Sequence, residues 1–80
     1  MEPAVVQTVL EQGMPCQHVA VTGDGHHFYA TIVSTEFAGK SRVQRQQRVL
    51  SVVGAKMESN EIHALSMKCY TPEEWEQLNG

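Results

Sequence analysis

The residues best suited to chemistry are four cations close together, Lys40, Arg42, Arg45 and Arg48. Fixed positive charge at this spacing suits the capture of an anion, either a phosphate or the acidic face of a protein. Lys40, Arg42 and Arg45 crowd the start of a helix, where the macrodipole already places positive charge and each unpaired cation costs roughly a few tenths of a kcal/mol. A local rule broken without visible compensation points to an anion site at that helix N-terminus. The competing reading is a solvated charged face.

The element that must carry these cations is the stretch from Phe37 to Gly54, which reads as one helix. Ser41 followed three residues later by Gln44 fits a capping box, and Gly54 stands where a left-handed cap would end the helix. At about 100° per residue, Val43, Val49, Leu50 and Val53 fall within one arc of roughly 120°, the face expected to pack on a sheet.

Net charge is −3, against the basic balance typical of general nucleic-acid binders. Its distribution is uneven, because five of the six lysines and arginines lie between Lys40 and Lys56, a span without Asp or Glu. A basic face on an acidic domain attracts phosphate or an acidic partner selectively. Eighty residues make one small domain, 1–80, that buries about 60–65 % of its unfolded surface. No apolar run approaches the ~18 residues of a membrane span, and Met1-Glu2-Pro3-Ala4 lacks a basic leader, so a cytoplasmic protein with no membrane partner is expected. Cys16 and Cys69 stand far apart outside any CxxC pattern and are expected to be small buried thiols.

In chain order, Pro3 to Gln12 repeats Val5, Val6, Val9 and Leu10 at helical spacing, with Pro3 in the first turn and Gly13 at the terminus. Met14-Pro15-Cys16 forces an irregular link. Gln17 to Gly23 alternates around Val19 and Val21, and His27 to Ser34 around Phe28, Ala30 and Ile32, giving two half-buried strands. Gly23-Asp24-Gly25 between them marks an antiparallel hairpin. After the basic helix and a polar link from Lys56 to Glu61, Ile62 to Tyr70 alternates as a third strand. A helix joining two strands sets the third parallel to the second, so the sheet is mixed. Thr71 as cap, Pro72, Glu74 closing a capping box and Tyr70 stapling onto Trp75 start a last helix that ends by Gly80. The predicted fold class is α+β, ordered α-β-β-α-β-α, with helices on one face of a three-stranded mixed sheet.

Three stretches in register carry a resemblance: Gly23-Asp24-Gly25-His26-His27-Phe28, then Phe37 through Val49, then Ile62 through Lys68 with Thr71-Pro72-Glu73-Glu74-Trp75. In this order they resemble the BolA family, most closely its short bacterial members linked to acid stress, over most of the chain from Val19 onward. The resemblance implies a class II KH-like fold and a cytoplasmic protein without enzymatic activity. It further implies partnership with a monothiol glutaredoxin around a shared two-iron two-sulfur cluster, not bound by the isolated protein, and in some members DNA binding. A glutaredoxin with glutathione supplies thiolates, and the BolA-like partner lends imidazole in place of sulfur, as histidine does in Rieske centres. By the match, His63 in Ile62-His63-Ala64 and His27 before Phe28 are the metal ligands, with His26 a substitute. Without it, His63 is a lone strand-end histidine and His26-His27 a polar turn. His18 has no such support.

The alternative function is a DNA-binding transcriptional regulator using the basic helix 40–53. The GxxG loop of KH domains is missing, since Gly39-Lys40-Ser41-Arg42 keeps only the first glycine. Lys40, Arg42, Arg45 and Arg48 remain to meet phosphates in a helix-turn-helix manner, with salt-sensitive affinity. Tyr29 is expected to pack on the sheet. No Ser-His-Asp order, paired buried carboxylates or phosphate loop points to an enzyme. The sequence leaves open whether the free chain forms a homodimer.

Overall fold

The computed structural model describes residues 1–79 and follows the expected order. Helix α1 spans Pro3–Gly13, strand β1 His18–Gly23, β2 His27–Val33, helix α2 Arg42–Glu58, β3 Ala64–Tyr70 and helix α3 Pro72–Asn79. The terminus expected at Gly80 lies outside the described residues. The sheet order is β1-β2-β3, with β1 and β2 antiparallel and β2 and β3 parallel. An α+β fold with a mixed open sheet results, and β2 is its centre.

Alternation along β2 explains the core. Phe28, Ala30 and Ile32 are buried on one face, where Val6 and Leu10 of α1 and Val49 and Val53 of α2 cover them. Tyr29 and Thr31 point to the opposite face, which α1 and α2 leave open. The single helical layer therefore holds for α1 and α2. Helix α3 sits at the end of the sheet: Glu74 reaches back to α2, while the Trp75 ring stacks 5.0 Å from His18 and 5.7 Å from Tyr70. His18, Val33 and Tyr70 are in register on the outer face, so Trp75 closes one end of it. The Tyr70 staple and the Thr71–Glu74 capping box form as expected, with Glu74 N donating to Thr71 Oγ1 at 3.2 Å and Thr71 N to Glu74 Oε1 at 2.8 Å.

Helix α2 departs from the sequence reading at both ends and in rotation. Phe37 closes a short 3₁₀ turn, Thr35–Phe37, and Gly39 at φ 73° breaks the chain before the helix begins. Ser41 then makes the expected capping box with Gln44, its Oγ accepting at 3.2 Å and its amide donating at 2.9 Å. Gly54 does not end the helix. Its cost of roughly 1 kcal/mol in a helix interior is offset by the packing of Val53 and Met57 on either side, and the left-handed residue is Asn60, φ 63°. Of the predicted apolar face, Val49 and Val53 are buried, but Val43 is 61 % and Leu50 39 % exposed. The reason is tertiary: α2 leans on α1 as well as on the sheet, and Val52 lies so close over Gly13 that any Cβ there would collide with it. That contact turns the buried stripe toward Val52, Val53 and Met57.

Candidate functional site

The hairpin loop is built around one carboxylate. Asp24 Oδ1 accepts the amides of His26 and His27, each at 2.9 Å, and Asp24 N donates to His27 O at 3.2 Å. The amide of His27, then that of His26, hold the Asp24 carboxyl below the usual range. Gly25 takes φ 98°, which permits the tight reversal.

That loop is tied to the start of β3 by the carbonyl of His26, which accepts the amides of both His63 and Ala64 at 3.2 Å. His63 sits just before β3 rather than opening it, and buried Ile62 anchors the residue before it. The consequence is that the rings of His26 and His63 meet edge to face, centroids 5.7 Å apart and planes at 79°. Both are exposed. The sequence nominated His63 with His27 and kept His26 as a substitute; the ring contact formed is that of His26 with His63. His27 begins β2 opposite Ala64, exposed on the outer face two residues before Tyr29. His18, at the far end of that face, stacks on Trp75.

Among the described residues no group of three or more His, Cys, Asp and Glu side chains converges on a point that would hold a metal ion. The chain offers exposed imidazoles on a pinned backbone, a donor set that fits a metal centre completed by another molecule's ligands. The cysteines do not add to it. Both are half-buried and free, and burial pushes the Cys69 thiol up to about 11, so it is protonated at neutral pH. Burial, then the carboxylates of Glu11 and Glu36, raise the Cys16 thiol in the same direction.

The four cations divide into two pairs. Arg45 is fully engaged: it donates to Glu74 Oε1 at 2.7 Å and Oε2 at 3.3 Å, to Cys69 O at 3.2 Å and to Lys40 O at 3.0 Å. Arg48 donates to Glu36 Oε2 at 3.1 Å and to Ser51 Oγ at 3.2 Å. Lys40 and Arg42 have no acid within ion-pair distance among the described residues. Hence two of the charges that looked unpaired in sequence clamp α2 to α3 and to the 3₁₀ turn.

The Arg45 guanidinium, and after it the Thr71 amide, hold the Glu74 carboxyl below the ordinary glutamate range. A folded-state pKa lowered in this way contributes stability that is fully present above the unfolded value and fades as pH falls through the folded one. Glu74→Gln is therefore expected to lower the urea midpoint at pH 7, with the deficit against the parent shrinking as pH drops below the usual glutamate value. A deficit independent of pH would assign the loss to packing.

Tyr29, expected to pack on the sheet, is 58 % exposed on the outer face. Its place between Phe28 and Ala30 was the signal for this, since both neighbours face the core. Lys68, in β3 on the same face, lines a groove there with Arg42 and was not singled out in sequence.

The family model for BolA-like protein matches residues 1–74. The chain is 43 % identical over 83 aligned positions to the acid stress protein IbaG of Escherichia coli K12, covering all of this chain and 99 % of that one. It is 35 % identical to the DNA-binding transcriptional regulator BolA of Vibrio cholerae, covering 98 % of this chain and 70 % of the relative. A solved structure of a BolA homologue from Coxiella burnetii superimposes with a TM-score of 0.87 at 36 % identity, over 95 % of this chain and 97 % of that one. No helix among the described residues is long and apolar enough to cross a membrane. With a family model spanning nearly the whole chain and a relative similar from end to end, this protein belongs to the BolA family.

Proposed function

We propose that this chain is a non-catalytic adaptor that partners a monothiol glutaredoxin and lends imidazole nitrogen to a two-iron two-sulfur cluster, in iron–sulfur trafficking or the stress response. The observation that carries the reading is the exposed His26–His63 ring pair, with His27 beside it, on backbone pinned by one shared carbonyl. Neutral imidazole is a ligand for iron, and two histidines without a third donor make half a site. The other half must come from a partner that brings thiolates, which is what a glutaredoxin loaded with glutathione supplies.

The test is reconstitution. Mixing the protein with a monothiol glutaredoxin, iron, sulfide and glutathione is expected to give a coloured heterodimer on size exclusion, with a visible spectrum unlike that of the glutaredoxin alone. Co-elution without a change in spectrum would leave the histidines out of the coordination.

The second reading is a transcriptional regulator that binds DNA through α2, favoured by the name of the Vibrio cholerae relative and by Lys40 and Arg42, which have no acid within ion-pair distance among the described residues. Arg45 and Arg48 are engaged by Glu74 and Glu36, which halves the charge that helix can present to phosphate and places this reading second.

A further inference from the structure

Strand β3 lies at an edge of the sheet, with no strand paired on its outer side among the described residues. In its parallel pairing, Ala64 N donates to His26 O and Tyr70 O accepts from Ser34 N, so residues 64, 66, 68 and 70 turn their amides and carbonyls toward β2. Leu65, Met67 and Cys69 must then turn theirs away from the sheet. Among the described residues only the Cys69 carbonyl is taken, by Arg45. The amides and carbonyls of Leu65 and Met67 form a row that another strand can pair with.

Two hollows flank this edge. One of about 200 Å³ lies between Arg42, Arg45 and Gln46 of α2 and the last four residues of β3. The other, about 370 Å³, lies on the outer face of the sheet and shares Arg42, Met67 and Lys68 with the first. Space therefore wraps around the free edge from both sides. Away from its Cys69 end, where Arg45 is paired with Glu74, the charge beside it is positive: neither Arg42 nor Lys68 has an acid within ion-pair distance among the described residues, and no Asp or Glu occurs between Lys40 and Lys56. Pairing with a second copy would bring Arg42 and Lys68 alongside the same residues of that copy, and like charges at a sheet edge oppose such pairing. An acidic strand meets the opposite situation.

We propose that the free edge of β3 takes up an extended acidic segment of a partner chain as a fourth strand. Main-chain bonds to Leu65 and Met67 would supply the pairing, while carboxylates at alternate positions of the segment meet Lys68 and Arg42. The proposal does not use the histidines, and its failure would leave the cluster reading untouched.

The experiment titrates the ¹⁵N-labelled full chain with an end-blocked heptapeptide of alternating glutamate and valine, and with its lysine–valine counterpart. The expected result is that the acidic peptide alone shifts the amides of Leu65 and Met67 and slows their hydrogen exchange. Lys68→Glu and Arg42→Glu, both at exposed positions, are each expected to weaken its binding about tenfold while the core resonances stay in place. Equal binding of the lysine peptide, or no response at Leu65 and Met67 at millimolar acidic peptide, would overturn the proposal. A single-stranded oligonucleotide that perturbs this edge where the peptide does not would reassign it to nucleic acid. Protection of the same amides that grows with protein concentration alone would reassign it to a second copy.

Discussion

Phe28→Ala is expected to remove a large share of the stability of this domain. Phe28 lies in the central strand with no exposed surface, paired with Gly23 on one side and Leu65 on the other. A Cβ at Gly23 would come within 2.9 Å of the Phe28 ring, so the ring fills the space that glycine leaves. Truncating a buried phenylalanine costs about 3–5 kcal/mol. An 80-residue domain has about 4–12 kcal/mol in total. The thermal midpoint followed by circular dichroism should fall by about 15 °C or more, or the cooperative transition should vanish. Tyr29→Ala is the matched control, since the adjacent ring stands on the open face and its loss is expected to cost about 1 kcal/mol or less. Equal effects at the two positions would contradict the burial pattern on which this account of the sheet rests. Because His26 and His27 immediately precede Phe28, the same substitution should also loosen the hairpin loop.

What was legible in the sequence follows from the range of the interactions involved. Both capping boxes, Ser41 with Gln44 and Thr71 with Glu74, span three residues, and side chains that close together declare themselves by type and spacing. The hairpin and the mixed sheet were legible for the same reason, through the Gly-Asp-Gly turn and a helix placed between two strands. The rotation of α2 was not, because Val52 over Gly13 brings together residues from two separate helices, and periodicity alone cannot choose between neighbouring apolar arcs. Nor could the sequence show that Arg45 has a carboxylate 29 residues away, or Arg48 one 12 residues back. Half of the apparent excess of positive charge among Lys40, Arg42, Arg45 and Arg48 was the unseen side of two ion pairs. The histidine pair depended on register, since only the alignment of His27 with Ala64 brings the ring of His26 to that of His63.

If the proposed partnership with glutaredoxin holds, the three imidazoles of the hairpin loop and the start of β3 contribute unequally to the cluster. His63→Ala is expected to shift the visible bands of the reconstituted complex and to shorten the cluster's lifetime by at least the roughly 10–100-fold that removal of a supporting group costs at a metal site. Single replacement of His26 or His27 should do less. The two sit side by side on one loop held by Asp24, so when one ring is lost the other remains on the same anchored backbone. The double variant His26→Ala with His27→Ala should then match His63→Ala. These substitutions isolate the imidazole, because the histidines contribute only main-chain groups to the hydrogen bonds that pin the site: the amides of residues 26 and 27 to the Asp24 carboxylate, and the carbonyl of residue 26 to the amides of residues 63 and 64. All three side chains are exposed, so stability should change by about 0.5 kcal/mol or less, and loss of the cluster could not be charged to unfolding. A double variant whose spectrum and lifetime equal the parent's would remove the hairpin loop from the coordination sphere, and an unchanged His63→Ala would remove the site altogether.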